Sequence, residues 1–476
     1  MMFTASRIRL LVVTCAALFM AMLDNLVLGV ALPSIQKSFQ ASISDLEWFT
    51  NAYTLAFAVL LIPLSMLGER FGRKRIFLIG VTIFTLGSAL AGLSVTPLQL
   101  ILSRVLQGIG GAAVVPLSLT LVSRAFPEQN RAAALGIWSG ISGLGLSSGP
   151  LIGGLILEGA PWQLIFWVNV PVGVLTLLFG QRWVEESRGE KTAIDFMGIL
   201  LLGSGLLGIV FGLERGNTEG WTSLTVTGPL AGGGVLLILF YLWERTRRQP
   251  LVRFDLFRRS RYTVLIGAGF LMNAGVFGAI FLLTLFLQQA QGNTALGAGV
   301  REMAWTGCTM AAAPLAGLAV SKLGTRDVLL FGLLLQVAGL TGLAALIFSL
   351  GVDIPFGYMA PFLMIAGTGM GMSFTPLSDG VISSVPESSV GEASGLSNAT
   401  RELGGVFGIA LCTMIFQRGP AITSPEDFGN HIVPSVFMGA GLIAAALIAV
   451  LLFVRREAVR PVAETNMNGG RAEEAG

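Results

Sequence analysis

Asp24, Arg104, Asp379 and the adjacent pair Arg401 and Glu402 stand inside or at the edge of long apolar runs. A charge in such a setting costs several kcal/mol unless it is paired or hydrated, so each of these side chains is a functional candidate. The chemistry open to them is proton exchange, binding of a cationic solute, or a fixed ion pair that joins helices. Other chemistries lack their residues. None of the lysines (Lys37, Lys74, Lys191, Lys322) follows a glycine, so the chain has no Gly-Lys-Ser/Thr phosphate loop. The single histidine, His431, cannot build an HExxH zinc site. It falls in a predicted loop, outside any proton relay within a helical bundle. Cys15, Cys308 and Cys412 lie far apart in apolar segments without CxxC spacing and read as buried free thiols. No metal or cofactor is expected. The basic residues are not gathered into one exposed domain, so nothing suggests nucleic acid.

The elements that must position these side chains follow from composition. Charged residues make up 12% of the chain, about half the roughly 25% of a soluble domain. The mean hydropathy is +0.77. Apolar runs of about 20 residues match the roughly 30 Å hydrocarbon thickness of a bilayer. In hydrocarbon every backbone donor and acceptor needs a partner within the protein, so these runs should be helices. The 62 glycines, about twice the usual share of roughly 7%, suit helices that approach closely in lipid.

The spans are predicted at 9–32, 46–67, 76–94, 98–123, 132–157, 164–181, 194–214, 224–244, 262–290, 299–320, 328–349, 356–380, 391–417 and 433–454. Arginines and lysines crowd alternate loops. They include Arg70, Arg73, Lys74 and Arg75 after span two, seven arginines between Arg245 and Arg261 after span eight, and Arg455 and Arg456 after the last. The opposite loops hold little beyond Lys37, Arg215 and Arg418. Positive loops stay inside, so both termini are expected in the cytoplasm. The first run leads into Asp24 and a second span without a cleavage site, unlike a signal peptide.

These features describe an all-α polytopic membrane protein of about 14 transmembrane helices. Residues 1–8 form a cytoplasmic start, 9–181 a six-helix bundle, and 182–261 two inserted helices with basic linkers. A second six-helix bundle occupies 262–454, and 455–476 a tail expected to be disordered. Residues 247–261 alternate basic with apolar side chains. They fit either a short amphipathic segment on the inner leaflet or a plain basic loop.

The constant rise of a helix converts sequence position into depth. Asp24 lies about eight residues before the outer end of span one, and Arg104 six or seven residues after the outer end of span four. At 1.5 Å per residue those distances are ~12 Å and ~10 Å. Opposite charges at one depth are expected to interact directly or through water. Arg401 and Glu402 lie near midplane in span thirteen. Adjacent helical residues do not face each other, so they should serve different neighbours. Asp379 lies near the inner end of span twelve. Glu392 opens span thirteen, where a carboxylate favours the helix dipole.

Several strings carry a family resemblance. Ser65-Met-Leu-Gly-Glu69-Arg70-Phe-Gly72-Arg73-Lys74 resembles the loop signature GxLaDrxGRK of the major facilitator superfamily, with Ser65 and Glu69 as departures. A partial echo, Gly317 to Arg326, follows span ten with Ser321 in place of the acid, and suggests duplication of a six-span unit. Arg104 to Ala112 resembles RxxqGxgaa, and Leu23-Asp24-Asn25 to Ala31-Leu32-Pro33 resembles LDxTvvnvALP with Leu26 at the threonine. Gly145 to Gly154, with Gly149, Pro150 and Gly153, matches the antiporter string GxxxGPxxGG. The strings Glu47 to Leu55 and Trp162 to Gly173 also match the family but read as interfacial aromatics and packing. Asn398 to Gly408 resembles NxxRqlGGaxG.

The resemblance, over about residues 10–455, is to the fourteen-span drug:proton antiporters. It implies proton-driven export of small amphiphilic or cationic compounds by alternating access, without enzymatic activity. It implies Asp24, Arg104, Arg401, Glu402 and Asp379 as coupling or substrate residues. Glu69, Arg70, Gly72, Arg73 and Lys74 would form a cytoplasmic gate, and Gly145, Gly149, Pro150, Gly153 and Gly154 a hinge or seal. Small molecules, protons and membrane lipid are the expected partners. The rival readings are an exporter dedicated to one metabolite or antibiotic, and a non-transporting receptor or scaffold.

Overall fold

The structure, a computed structural model, describes residues 4–189, 195–247, 250–386, 389–418 and 422–456. Lys191 and the tail from Val462 lie outside them. In chain order the helices are α1 Ala5–Phe39, α2 Ile43–Phe71, α3 Arg73–Gly92, α4 Pro97–Ala125, α5 Glu128–Gly159, α6 Leu164–Trp167 and α7 Asn169–Trp183. Then follow α8 Phe196–Glu219, α9 Leu224–Glu244, α10 Ser260–Leu285, α11 Ala295–Leu323, α12 Thr325–Leu350, α13 Phe356–Ser383, α14 Val390–Phe416 and α15 Pro425–Phe453. The described residues contain no strand. Thirteen spans are long and apolar enough to cross a bilayer. The 28-residue α13 is long enough too, but its glycines, serines and threonines dilute its apolar character.

Local chemistry sets the helix ends. Ser42 and Asp45 form a capping box at the start of α2, and Ser424 and Asp427 form another before α15, with Pro425 in its first turn. Glycines with φ of +119° and +85°, Gly72 and Gly324, turn the chain between α2 and α3 and between α11 and α12. The two junctions occupy equivalent places in the two halves. The sixth span is broken at Val168, between α6 and α7. Pro171 has no N–H to give the carbonyl of Trp167, which removes a helical bond at that break. The ninth span ends in a π-helical turn, Phe286–Ala290.

One group packs α1 against α5 and α7, and α4 against α2 and α3. A second packs α10 against α14 and α15, and α13 against α11 and α12. The groups meet where α5 lies on α11 and α2 on α14. Helices α8 and α9 pair with each other, and α8 lies against both α2 and α14.

Three expectations need correction. His431 is not in a loop: it is a buried residue of α15, with Nδ1 2.6 Å from the Phe416 carbonyl oxygen. The capping box starts that helix well before its apolar run begins. Cys308 is only partly buried, on a helix that also exposes Met310 and Leu315, whereas Cys15 and Cys412 are buried as expected. Residues 250–259 do not form a plain loop. Leu251, Val252 and Leu256 are buried within the protein, and Phe254–Arg258 makes a 3-10 turn.

Candidate functional site

Asp24 on α1 and Arg104 on α4 are in direct contact, Arg104 Nη1 donating to Asp24 Oδ2, and both are fully buried. A buried ion pair is tolerable only if its remaining donors and acceptors are also met. Here they are. Asp24 Oδ1 accepts from Gln107 Nε2 and from Asn169 Nδ2, each at 2.9 Å. Arg104 Nε donates to the Phe49 carbonyl at 3.0 Å, and Nη1 also donates to Gln107 Oε1 at 2.8 Å. Gln107 Nε2 reaches Ser88 Oγ at 2.8 Å. The guanidinium stacks on Tyr53, 4.5 Å from the ring centre, a cation–π contact in a dry setting.

Sequence arguments explain the convergence. Arg104 and Gln107 are three residues apart on one face of α4. A Cβ at Gly108 would collide with the Tyr53 carbonyl oxygen, and one at Gly111 would fall 2.9 Å from the Tyr53 hydroxyl. Both glycines therefore let α2 approach and lay Tyr53 over the charge. Asn169 arrives as the first residue of α7, immediately after the break at Val168. Tyr53 and Asn169 belong to strings that read from the sequence as packing, and the structure puts both on the ion pair. A buried polar residue beside a helix-breaking Pro171 was the available signal.

Arg401 and Glu402 face different neighbours. The Arg401 guanidinium lies 4.4 Å from the centre of the Phe374 ring on α13, within its own half. Glu402 is close enough to interact electrostatically with Tyr53, in the other half. Asp379 is not brought to this centre. It accepts a 2.6 Å bond from Thr325 at the start of α12. Glu392 sits in the first turn of α14 and pairs with Arg253 of the 250–259 segment at 3.2 Å. Arg253 also pairs with Asp255 at 2.7 Å and holds that carboxyl below the usual carboxylate range.

Glu69, Arg73 and Lys74 of the loop signature bond to one another and to the stretch that follows α7. Glu69 accepts from Arg73, at 2.7 Å to Nε and by a second contact to Nη2. Arg73 Nη1 reaches Ser187 Oγ at 3.3 Å, and Lys74 Nζ donates to the Gln181 carbonyl at 2.7 Å. The Glu186 carboxylate receives the backbone N–H groups of Lys74 and Arg75, capping α3. Gly72 is needed here for its φ of +119°, which residues with a side chain rarely adopt. The Arg70 guanidinium lies 5.3 Å from the Phe71 ring centre.

The glycine string on α5 forms a seam. Cβ atoms at Gly145, Gly149 and Gly153 would lie 2.9–3.0 Å from Met22, Leu26 and Val27 of α1. One at Gly154 would lie 2.6 Å from Leu296 Cα on α11, and one at Gly299 would collide with the Pro150 carbonyl oxygen. This contact lies at the end of the molecule opposite the chain termini. Gln289 Nε2 to Gln36 Oε1 at 2.7 Å and Gln288 Nε2 to the Val30 carbonyl at 2.9 Å close the same end. Toward the termini, by contrast, Cβ atoms at Gly136, Gly140, Gly143 and Gly307 would meet nothing within 4 Å. The two groups are zipped along α5 and α11 at the end opposite the termini.

Comparison with known proteins agrees with this architecture. The model of the Major Facilitator Superfamily matches residues 14–409. The chain is 32% identical over 431 residues to a tetracenomycin C resistance and export protein of Streptomyces glaucescens, covering 90% of this chain and 79% of that protein. It is 35% identical over 438 residues to the multidrug resistance protein Stp of Mycobacterium tuberculosis, covering 90% and 81%. The solved nucleoside transporter NupG superposes with a TM-score of 0.67 at 12% identity, over 94% of this chain and all of that one. With two helical groups zipped at one end and a family match across most of its length, the chain belongs to the Major Facilitator Superfamily, as a multi-pass membrane transporter of small molecules.

Proposed function

We propose that the protein exports small amphiphilic or cationic compounds from the cytoplasm in exchange for protons, by alternating access. The observation that carries this reading is the fully buried Asp24–Arg104 pair under the Tyr53 ring, in a bundle whose two groups meet through α5 and α11 and through α2 and α14. The basic loops put the chain termini in the cytoplasm. On that orientation the zipped end of α5 and α11 is the outer one. Arg104 is the ion-pair partner of Asp24, and a proton or a cationic substrate would compete for that place at the carboxylate. Inward proton flow supplies about 2.3 kcal/mol per 100 mV of membrane potential, before any pH gradient. Neither ATP nor a cofactor is needed on this reading.

The relatives' names support export and divide on breadth, since one is a resistance and export protein for a single antibiotic and another a multidrug resistance protein. A dedicated exporter therefore stands as the second reading. Reconstitution into sealed liposomes tests the proposal: a panel of cationic and neutral antibiotics should release protons into or take them from the lumen as they move. Proton movement with one compound alone would favour the dedicated exporter, and none with any compound would reject proton coupling.

A further inference from the structure

Glu302 on α11 is a buried carboxyl group, 5% exposed, that the coupling scheme above does not use. It is the eighth residue of its helix, ~10 Å in from the zipped end at 1.5 Å per residue. Its Oε1 lies 2.5 Å from Thr284 Oγ1 on α10. The same Thr284 oxygen lies 3.0 Å from the Ile280 carbonyl. A hydroxyl has one proton to give. If Glu302 were ionised, that proton could serve only one of the two oxygens, and the other contact would set two acceptors together. If Glu302 carries a proton, it donates to Thr284 while Thr284 donates to Ile280, and both contacts are bonds.

The charges around it agree. Among the described groups on the packed elements, Arg301 of α11 itself lies over Phe356, and Asp24 of α1 is taken by Arg104. Lys37 on α1 and Glu158 on α5 lie at the helix ends, and α10, α12 and α13 carry charges only near the termini end. Burial and the Thr284 hydroxyl are the influences on the Glu302 carboxyl, and no cation is among them. An ionised carboxylate buried without a cation costs several kcal/mol.

Its position gives the proton a use. Thr284 abuts α1, where a Cβ on Gly29 would lie 3.8 Å from its hydroxyl oxygen. Gln288, one turn further on, bonds to Val30 of α1. Glu302 is therefore just beneath the contacts that zip the two groups together.

We infer that Glu302 is a second proton-binding site, which takes a proton from the outside water while the zipped end is open, and that this end closes only over the neutral acid. The direction assigned here, outside at the zipped end, rests on the orientation in the proposed function. The protonation itself does not.

Two readouts separate them. In the purified full chain at neutral pH, infrared spectra should contain a protonated carboxylic C=O band that Glu302→Gln removes and Asp24→Asn leaves in place. In liposomes loaded with ethidium, a lipophilic cation, wild-type export should slow as the outside pH rises. Glu302→Gln, fixed in a neutral form, should flatten that dependence, and Thr284→Val, which keeps the fold but removes the hydroxyl, should displace it. An infrared band unchanged by Glu302→Gln, or a pH profile that superposes on wild type, would overturn the inference. If the wild type moves no ethidium under any gradient, the gating role falls with the export reading, and the infrared band still decides whether Glu302 holds a proton.

Discussion

At the residue scale the protein is organised around a buried charge pair and the neutral groups that let it exist. Asp24 has three donors and Arg104 three acceptors besides the Tyr53 face. Hydrogen bonds to a charged group are worth about 1.5–3 kcal/mol each. Asn169→Ala should therefore lower the thermal midpoint of the purified protein and weaken transport, measured side by side on one preparation. Arg104→Lys keeps the charge but loses the planar fork that reaches Asp24, Gln107 and Phe49 together. Transport should fall with it as far as with an uncharged replacement. A lysine variant with near wild-type transport would show that only the charge matters. The depth arithmetic made the Asp24–Arg104 pairing legible in the sequence, because helical rise is constant. The neutral partners were not legible: Asn169 and Tyr53 come from other helices, and nothing in their own segments tells which face meets α1 or α4.

At the element scale, glycines decide where helices touch. The string from Gly145 to Gly154 runs along α5 with neighbours on α1 and α11 at backbone distance, whereas Gly136 and Gly143 on the same helix face open space. Overpacking a tight contact costs about 1–3 kcal/mol, which is roughly fivefold to 150-fold in an equilibrium. Gly149→Leu should thus reduce transport by about tenfold, while Gly143→Leu should leave it within about twofold, at equal amounts in the membrane. Equal losses would mean that glycine content, not this seam, is what α5 needs. The spans themselves were readable from apolar length. The break at Val168, the π turn at Phe286–Ala290 and the early start of α15 at Pro425 were not, because each depends on a few residues within an apolar average. Glu302 escaped the sequence reading for a related reason: it stands close to a span end, where a carboxylate normally reaches water.

At the scale of the whole molecule, the two groups of helices meet where α5 lies on α11 and where α2 lies on α14. Rocking the groups would move α2, which carries Tyr53, against α14, which carries Arg401 and Glu402. The inserted α8, lying on both α2 and α14, spans the same boundary and must follow either movement. Glu69 and Arg73 of the loop signature tie the junction of α2 and α3 to Ser187, just beyond α7.

The most direct test compares wild type with Asp24→Asn in one set of sealed liposomes, following substrate and lumenal pH together. The variant should bind its substrate and exchange it at equilibrium, yet fail to concentrate it when a pH difference is imposed. Concentration of substrate by Asp24→Asn to the wild-type level, with the same proton movement, would contradict the account.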